Sequence, residues 1–502
     1  MPPVLILSWA LSQLGFAGQP VLTAERVDGP AWVMYLAANA AQWDTLGFVP
    51  GPYVAPEFEL PEGATTSDSV AYWFPDPVEF AAQRQTAEPL PYPTDNDPKR
   101  LSQHLRKPAI EFGWDFARRQ IRTGAPTPRL GEPRGPVQRP LIYVEWVPRP
   151  AGRRGIFHPQ HRWALSNSRL VTNDPKRPFY LEVNGKPQFL LGVNAVVPAD
   201  PEREEQQRQR LIELHRAGGN TVRFWAGGSY PSERLLTTCD SLGMMVWQDF
   251  AFTGTAYPGD SAFREWVRDE AVYQVSRMAE HPSVVLFCGN NEIDVAWRAW
   301  GWQKTYDMSA ADSAQLWANN HWIFEELLPS VVAKHAPGRA YLASSPVSNW
   351  GRPSDFERGD NHDWRVWHGE QPTQVLAERV APLVSEWGIP SLPGPSVRAR
   401  WTAEPSAYML SYKGLGLLER YLRSEQGWRG GSTDELAEAS QRWQARVIRR
   451  TLRAQRYARP FCSGTLIWQL NDVDDAISWS LIDSDNQPKR AWRAVLGEFS
   501  KF

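Results

Sequence analysis

The sequence predicts an α/β fold in which a (β/α)8 barrel follows a mainly β N-terminal region. From about residue 179 to residue 502, short apolar runs alternate with amphipathic helical stretches, which is the pattern of a parallel sheet. Eight such runs can be counted, the number that a closed barrel of this type needs. Polar residues follow directly after most of the runs, at the strand ends where such barrels carry their functional groups.

The eight predicted strands are apolar at consecutive positions, as expected for strands that are covered on both faces. They are FLLGVNAV from residue 189, TVRFW from 221, MMVWQDF from 244, VVLFCGNN from 284, AYLASSP from 340, DNHDWRVW near 360, PLVSEWG from 382 and GTLIWQL from 464. Helical patterns lie between most of them, for example REEQQRQRLIELHRAGG before the second strand. A doubly wound open sheet is the alternative, and it is disfavoured because no Gly-rich phosphate-binding loop follows any of the runs.

Residues 1–178 are rich in Pro and in turn-forming stretches such as EPLPYPTDNDP. Their short apolar runs, SVAYWF and LIYVEW, indicate β-strands separated by turns. We divide this part into an unassigned segment at 1–78 and a partial β-sandwich-like region at 79–178, before the barrel at 179–502. The stretch VLILSWALSQLGFAG is similar to a signal-peptide core, yet the first basic residue of the chain is Arg26. Whether the protein is cytoplasmic or exported to a periplasmic or outer compartment therefore stays open.

Composition limits the classes of partner. The 502 residues are 42% hydrophobic and 22% charged with a formal net charge of −2, as in a soluble globular protein without attraction to nucleic acid or anionic membranes. The sequence contains no run of eighteen apolar residues, so no membrane span is predicted. The three Cys are too scattered for a disulfide framework or a metal site, and we expect no metal and no cofactor. The 25 Trp favour a sugar-binding cleft, since indole rings stack on pyranose faces, although a single Trp more often belongs to a core.

Two carboxylates stand at predicted strand ends. Glu292 follows the fourth strand and Glu386 ends the seventh, so the two should face each other across the mouth of a small barrel. Paired carboxyl groups across a sugar-sized gap are the equipment of glycoside hydrolysis, in which one is a protonated acid and the other is ionised. Asn291 would donate to a hydroxyl of the same sugar. On these residues alone, structural ion pairs with Arg side chains remain the alternative.

Several motifs resemble the catalytic barrel of β-mannosidases in glycoside hydrolase family 2, a TIM barrel. They include HPSVVLFCGNNEIDVAWRAWGWQKTY, VSEWGIPSLP, GTLIWQLNDVDDAISWSLID, FYLEVNGKPQFLLGVN and GDNHDWRVWHG. The resemblance implies a hydrolase of carbohydrate metabolism with Glu292 as acid/base and Glu386 as nucleophile. Its expected substrate is a β-mannoside or manno-oligosaccharide, cleaved from the non-reducing end with retention through a covalent glycosyl-enzyme. The resemblance further implies substrate contacts at Trp114, Asp115, Arg223, Trp225, Trp247, Asn291, His362, Trp387 and Trp468.

The chain also departs from the family pattern. Members usually carry a full β-sandwich and an immunoglobulin-like domain before the barrel, for which 178 residues are too few. Residues 473–475, Val-Asp-Asp, stand where the family typically has an aromatic residue and a proline, which leaves the aglycone preference open. Two alternatives follow: another exo-β-glycosidase of this family (galactosidase, glucuronidase or glucosaminidase), or a sugar-binding homologue with impaired catalysis. The sequence does not indicate the oligomeric state or the role of residues 1–78.

Overall fold

The computed structural model describes residues 167–502, except positions 173, 199, 255, 258, 260, 306 and 412, together with six strands among residues 1–166. The chain divides into one unit of residues 1–87 and 128–164 and a second unit of residues 88–127 and 165–502. The second unit contains the barrel.

The first unit contains antiparallel β-structure. Its strands are β1 (Leu7–Ser8), β2 (Val21–Leu22), β3 (Ala31–Leu36), β4 (Asp44–Val49), β5 (Phe58–Glu59) and β6 (Ser69–Trp73). They form a four-stranded sheet of order β1-β6-β3-β4 and a two-stranded β2-β5 sheet. The run SVAYWF, predicted as a strand, is confirmed as β6, whereas LIYVEW lies outside the described residues.

A three-stranded antiparallel sheet closes the N-terminal end of the barrel. It consists of β7 (Ser168–Val171), β8 (Tyr180–Val183) and β9 (Lys186–Pro187). The Ser168 hydroxyl donates to the carbonyl of Val285 at 2.5 Å, and the Ser463 hydroxyl donates to the carbonyl of Phe179 at 2.6 Å. These bonds satisfy buried backbone carbonyls at this end of the barrel.

All eight predicted barrel strands are confirmed. They are β10 (Leu190–Ala195), β11 (Thr221–Phe224), β12 (Met245–Asp249), β13 (Val284–Cys288), β14 (Ala340–Leu342), β15 (Asp360–His362), β16 (Leu383–Glu386) and β17 (Gly464–Ile467). They form one parallel sheet of order β14-β13-β12-β11-β10-β17-β16-β15. Between its two ends, a parallel bridge joins Ser348 to Asn361, and the Ser348 amide donates to the Asp360 carbonyl at 2.9 Å. The curled sheet is thereby that of a TIM barrel.

Gly192 shows how closely the strands approach one another. A Cβ atom at this position of β10 would lie 1.8 Å from the backbone oxygen of Thr221 on β11, a distance that no side chain can occupy. The glycine is therefore required where FLLGVNAV passes its neighbour.

Helices cover the outer face of the sheet. They are α1 (Pro201–Arg216), α2 (Glu233–Leu242), α3 (Ser261–Ala279), α4 (Ile293–Ala299), α5 (Trp302–Thr305), α6 (Ala310–His321), α7 (Leu328–His335), α8 (Val375–Glu378), α9 (Pro395–Arg398), α10 (Gly414–Gln426), α11 (Thr433–Tyr457) and α12 (Arg490–Phe499). A π-helical turn at Trp322–Leu327 joins α6 to α7, and 3-10 turns lie at Pro353–Phe356 and Pro405–Tyr408.

Local signals explain where the main helices begin. Asp200 caps α1 by accepting hydrogen bonds from the amides of Glu202 and Arg203. Ser432 and Glu435 form a capping box at the start of α11, whose buried stripe includes Trp443 and Ile448. Among the described helices, none combines the length and the apolar character needed to cross a bilayer.

Candidate active site

Glu292 lies at the C-terminal end of the barrel, between β13 and α4. Its backbone has a φ of 62°, in the left-handed region that residues other than Gly seldom adopt. Its amide donates to the Ser345 carbonyl at 2.7 Å, and its carbonyl accepts from Ala296 at 2.8 Å. Such strained residues occur preferentially at functional sites, where neighbouring contacts hold the side chain in one direction.

The two Asn residues before Glu292 have different roles. The Asn290 side chain is structural: its Oδ1 accepts from the Ile293 amide at 3.0 Å, and its Nδ2 donates to the Ala343 carbonyl at 2.9 Å. The Asn291 side chain points toward the other charged groups, and its Oδ1 accepts from Arg223 Nη2 at 2.8 Å. The polar end of VVLFCGNNE is therefore made of one cap and two site residues.

Glu386 is the last residue of β16, and its side chain is buried. Its Oε1 accepts a charge-assisted hydrogen bond from Arg223 Nη1 at 2.7 Å. Its Oε2 lies 3.3 Å from Nδ1 of His362, which ends β15. The same Nδ1 lies 2.7 Å from Oε1 of Glu292, so a single imidazole contacts both carboxyl groups. Polar atoms of these three side chains lie within 4.8 Å of one another, and the predicted convergence of Glu292 and Glu386 is present in the structure.

Arg223 connects four neighbouring strand ends. Its Nε and Nη2 donate to Asp249 at 3.2 and 2.8 Å, and its Nη1 also reaches Asn194 Oδ1 at 3.1 Å. The guanidinium is fully buried. Burial by itself lowers its pKa, but Asp249 and Glu386 outweigh burial and raise the pKa above its usual value. Arg223 therefore stays charged and fixes the orientation of Glu386 and Asn291.

The two Glu carboxyls differ in pKa. Burial raises the pKa of Glu292 to about 7, although the positive charge of Arg223 opposes the rise. Burial also raises the pKa of Glu386, to about 6, against the lowering effects of His362 and Arg223. Burial lowers the pKa of His362 to about 4, so its imidazole is neutral at neutral pH. Because Arg223 bonds Glu386 directly while Glu292 contacts the neutral imidazole, the carboxylate form is favoured at Glu386 and the protonated form at Glu292.

A group of this kind is also one in which a cation can bind, since carboxylate and imidazole atoms are common ligands. However, the Arg223 guanidinium lies 2.7 Å from Glu386 and already supplies a buried positive charge. A cation among Glu292, His362 and Glu386 would be repelled by it at low dielectric. The arrangement therefore suits proton transfer better than cation binding.

The four Trp residues predicted as substrate contacts in the barrel occupy two kinds of position. Trp225 and Trp468 meet edge to face with ring centroids 4.9 Å apart, and both keep some exposure. Trp247 is 1% exposed and donates to Asp249 Oδ1 at 3.0 Å, whereas Trp387 is fully buried and donates to Thr465 at 2.8 Å. In this structure Trp247 supports Asp249, and Trp387 bonds a residue of β17; contact of either Trp with substrate stays a prediction. Trp114 and Asp115 lie outside the described residues.

Several polar residues of this site are not among the catalytic residues and substrate contacts predicted from the sequence. Asp249 binds Arg223, Asn194 bonds both Arg223 and the Ser385 carbonyl, and Asp360 binds the hydroxyl of Ser345 beside His362. Asp249 had a signal, because it is a polar residue at the end of a predicted strand. Asp360 begins its strand instead, and its partner Ser345 follows a different strand, so the sequence gives no indication that they meet.

Known proteins with similar sequences include Beta-mannosidase B of Aspergillus terreus, 33% identical over 341 residues, which are 64% of this chain and 40% of that protein. Beta-mannosidase B of Aspergillus niger is 32% identical with the same coverage. Among solved structures, a β-D-mannosidase from Dictyoglomus thermophilum is 31% identical with a TM-score of 0.58, covering 66% of this chain and 42% of that one. This chain spans about 40% of the length of the curated relatives it matches. No protein-family profile matches the chain.

Proposed function

We propose that this chain, whose barrel is similar to that of β-mannosidases of glycoside hydrolase family 2, is a retaining exo-glycosidase. In this proposal it removes terminal, non-reducing β-D-mannose from β-mannosides or manno-oligosaccharides through a covalent glycosyl-enzyme. The substrate class rests on the sequence similarity to proteins named β-mannosidase. The mechanism rests on the site.

The observation that supports retention is the short separation of the two Glu side chains, since one carboxyl oxygen of Glu292 lies within 4.8 Å of one of Glu386. Retaining glycosidases place their carboxyls about 5–5.5 Å apart, so that one reaches the anomeric carbon directly. Inverting enzymes leave about 6.5–9.5 Å for an intervening water. The geometry here favours direct attack.

In the first step, an oxygen of ionised Glu386 forms a bond to the anomeric carbon while the bond from that carbon to the leaving oxygen breaks. Protonated Glu292 transfers its proton to the leaving oxygen, so the aglycone departs as an alcohol. The Arg223 guanidinium, 2.7 Å from Glu386 Oε1, orients the attacking carboxylate.

In the second step, Glu292 is a carboxylate and takes a proton from water. The water oxygen bonds to the anomeric carbon, and the bond to Glu386 breaks, which restores both side chains. Two inversions at one carbon give a product with the starting configuration.

The remaining residues of the site are proposed to bind the sugar. Trp225, which is partly exposed, and Trp468, which meets it edge to face, form the aromatic wall, and Asn291 bonds Arg223 directly before Glu292 in the chain. Trp114 and Asp115 are proposed to complete the subsite for the non-reducing sugar, as implied by the resemblance of the motif GWD at residues 113–115 to the same motif in family 2 β-mannosidases.

The test is a panel of p-nitrophenyl β-glycosides (mannoside, galactoside, glucuronide and glucosaminide) assayed with purified protein, with Glu386→Gln as control. We expect the mannoside to be hydrolysed fastest and the variant to lose at least about a thousand-fold in kcat/KM. Preference for another glycoside would support the sister activities of the same family. If none of the glycosides is hydrolysed but mannose binds, the result would support a sugar-binding protein with impaired catalysis.

A further inference from the structure

Behind the two Glu carboxyls lies a chain of hydrogen bonds that determines where the proton of His362 resides. Asp360 Oδ2 accepts from the Ser345 hydroxyl at 2.6 Å and from the Ser385 hydroxyl at 2.9 Å, while Oδ1 accepts from the Val347 amide at 2.6 Å. Three donors thus converge on one carboxylate, which acts only as an acceptor. The Ser345 hydroxyl therefore donates its single proton to Asp360.

The next link is the imidazole. The Ser345 oxygen lies 3.1 Å from His362 Nε2, and both atoms are buried. Because Ser345 has already donated its proton, its oxygen must be the acceptor and Nε2 must carry hydrogen. A neutral imidazole has one N–H, so Nδ1 is left with an unprotonated lone pair.

That lone pair faces the carboxyl groups. Nδ1 lies 2.7 Å from Glu292 Oε1 and 3.3 Å from Glu386 Oε2. Two lone pairs at 2.7 Å repel each other unless a proton lies between them, and protonated Glu292 supplies it. The longer distance to Glu386, which already accepts from Arg223, makes Glu292 the donor.

We propose that Asp360 and Ser345 fix the Nε2–H tautomer of His362, so that Nδ1 accepts a hydrogen bond from protonated Glu292 and stabilises the acid form of the free protein. The proposal assigns Asp360, Ser345 and His362 as positioning residues for the acid/base, and its catalytic consequence rests on the proposed glycosidase function. On substrate binding, the leaving oxygen replaces Nδ1 as acceptor of the Glu292 proton.

The pKa shifts of Glu292 and His362 agree with a proton that resides on Glu292. The raised pKa of Glu292 and the lowered pKa of His362 both favour an acid form of Glu292 beside a neutral imidazole. The titratable and charged groups that face this pair are Arg223 on β11, Asp360 on β15 and Glu386 on β16, and Asp249 on β12 pairs with Arg223 behind them.

Ser345→Ala tests the proposal with little risk to the fold, because Asp360 keeps the Ser385 hydroxyl and the Val347 amide. Without the Ser345 oxygen, Nε2–H loses its acceptor, and the tautomer with Nδ1–H becomes favourable. That tautomer donates to Glu292 and stabilises its ionised form. Ser385→Ala is the matched control, because it removes the other hydroxyl on the same Asp360 oxygen without contacting His362.

The first measurement is the tautomer of His362, read from long-range 1H–15N correlations of the full chain labelled with 15N-histidine, with the signal assigned by His362→Asn. We expect Nε2–H in the wild-type protein and in Ser385→Ala, and a population of Nδ1–H in Ser345→Ala. Nδ1–H in the wild-type protein, or an unchanged tautomer in Ser345→Ala, overturns the proposal. The NMR measurement does not require catalytic activity. It therefore tests the tautomer proposal separately from the proposed glycosidase function.

The second measurement is the pH profile of kcat/KM with an alkyl β-mannoside. In Ser345→Ala we expect the alkaline limb to move to lower pH by about one unit, since Glu292 loses an acceptor and gains a donor. A dinitrophenyl mannoside needs no proton on its leaving group, so its pH profile should be the same in Ser345→Ala and in the wild-type protein. An unmoved limb with the alkyl substrate contradicts the assignment of Ser345.

Discussion

Glu292 and Glu386 are identical side chains whose surroundings differ. Glu386 accepts from a fully buried guanidinium at 2.7 Å, whereas Glu292 contacts the neutral imidazole of His362 at 2.7 Å. A positive charge stabilises the carboxylate form, and burial beside a neutral ring stabilises the protonated form. Pairs of carboxyls with diverging pKa values are the usual sign of divided acid and nucleophile roles.

The first prediction concerns chemical rescue of Glu292→Ala. Because this variant lacks the proton donor, hydrolysis of alkyl mannosides should nearly cease, while glycosylation with dinitrophenyl mannoside, which needs no proton, should persist. Azide should restore turnover of the activated substrate by attacking the glycosyl-enzyme in place of water. The measurement is the steady-state rate with both substrates, with and without azide. Equal loss on both substrates without rescue would remove the acid/base role from Glu292.

The second prediction is a narrow pH profile. The proposed mechanism requires ionised Glu386 and protonated Glu292 in the free protein, so kcat/KM should fall below the pKa of about 6 of Glu386 and above that of about 7 of Glu292. Since the two groups interact, the two limbs belong to the pair. The measurement is kcat/KM of an alkyl mannoside from pH 4 to pH 9. A rate that still rises above about pH 8 would contradict the assignment of Glu292 as acid.

Among the elements, β11 connects several strand ends, because its Arg223 binds side chains of β10, β12 and β16 and that of Asn291 after β13. The bonds reach Asn194, Asp249, Glu386 and Asn291 at 2.7–3.2 Å. Two carboxylates share this one cation, so the strand ends are coupled by charge as well as by backbone pairing. Truncating one partner of a buried ion pair leaves the other charge uncompensated.

The third prediction is that Arg223→Lys loses both stability and activity. A Lys ammonium keeps the charge but cannot bond Asp249 and Glu386 in the same fork geometry. We expect the free energy of unfolding in urea to fall by about 2–4 kcal/mol, and kcat/KM to fall at least about a hundred-fold. Arg169→Lys is the matched control, since Arg169 pairs with Glu182 at 2.7 Å but is largely exposed. Equal stability of the two variants would show that the buried network contributes little.

Element by element, the sequence allowed the strands and the two carboxylates to be predicted but not the bonds between them. Eight apolar runs with helical patterns between them indicated the barrel, and strand ends indicated Glu292 and Glu386. The link from Asp360 through Ser345 to His362 depends on the loop after β14 approaching β15, where an isolated bridge joins the sheet. Periodicity carries no information about such a contact. The burial of Trp247 and Trp387 could not be predicted either, because the sequence pattern of a Trp in a strand is the same whether its side chain faces a cleft or a core.

At the scale of the whole molecule, the barrel unit contains the described site, while Trp114 and Asp115 lie outside the described residues. This chain covers about 40% of the curated relatives' length, so the role of residues outside the barrel is a matter for experiment. The motif GWD predicts that Asp115 accepts hydrogen bonds from mannose hydroxyls.

The fourth prediction tests that role. Charged acceptors contribute about 1.5–3 kcal/mol per hydrogen bond, so Asp115→Ala should lower kcat/KM on the order of ten- to a hundred-fold with an unchanged melting temperature. The alternative, that Asp115 caps a turn, predicts a lower melting temperature and unchanged kinetics. Steady-state kinetics and thermal unfolding of the same preparation decide between them.

The measurement that tests the central claim most directly is the anomeric configuration of the first product. Hydrolysis of a β-mannoside followed by 1H NMR should show β-mannose first and α-mannose only later by mutarotation, because in the proposed mechanism Glu386 attacks the anomeric carbon directly and water attacks second. One carboxyl oxygen of Glu292 and one of Glu386 lie within 4.8 Å of each other, which favours direct attack over a single displacement by water. Appearance of α-mannose as the first product would contradict the account.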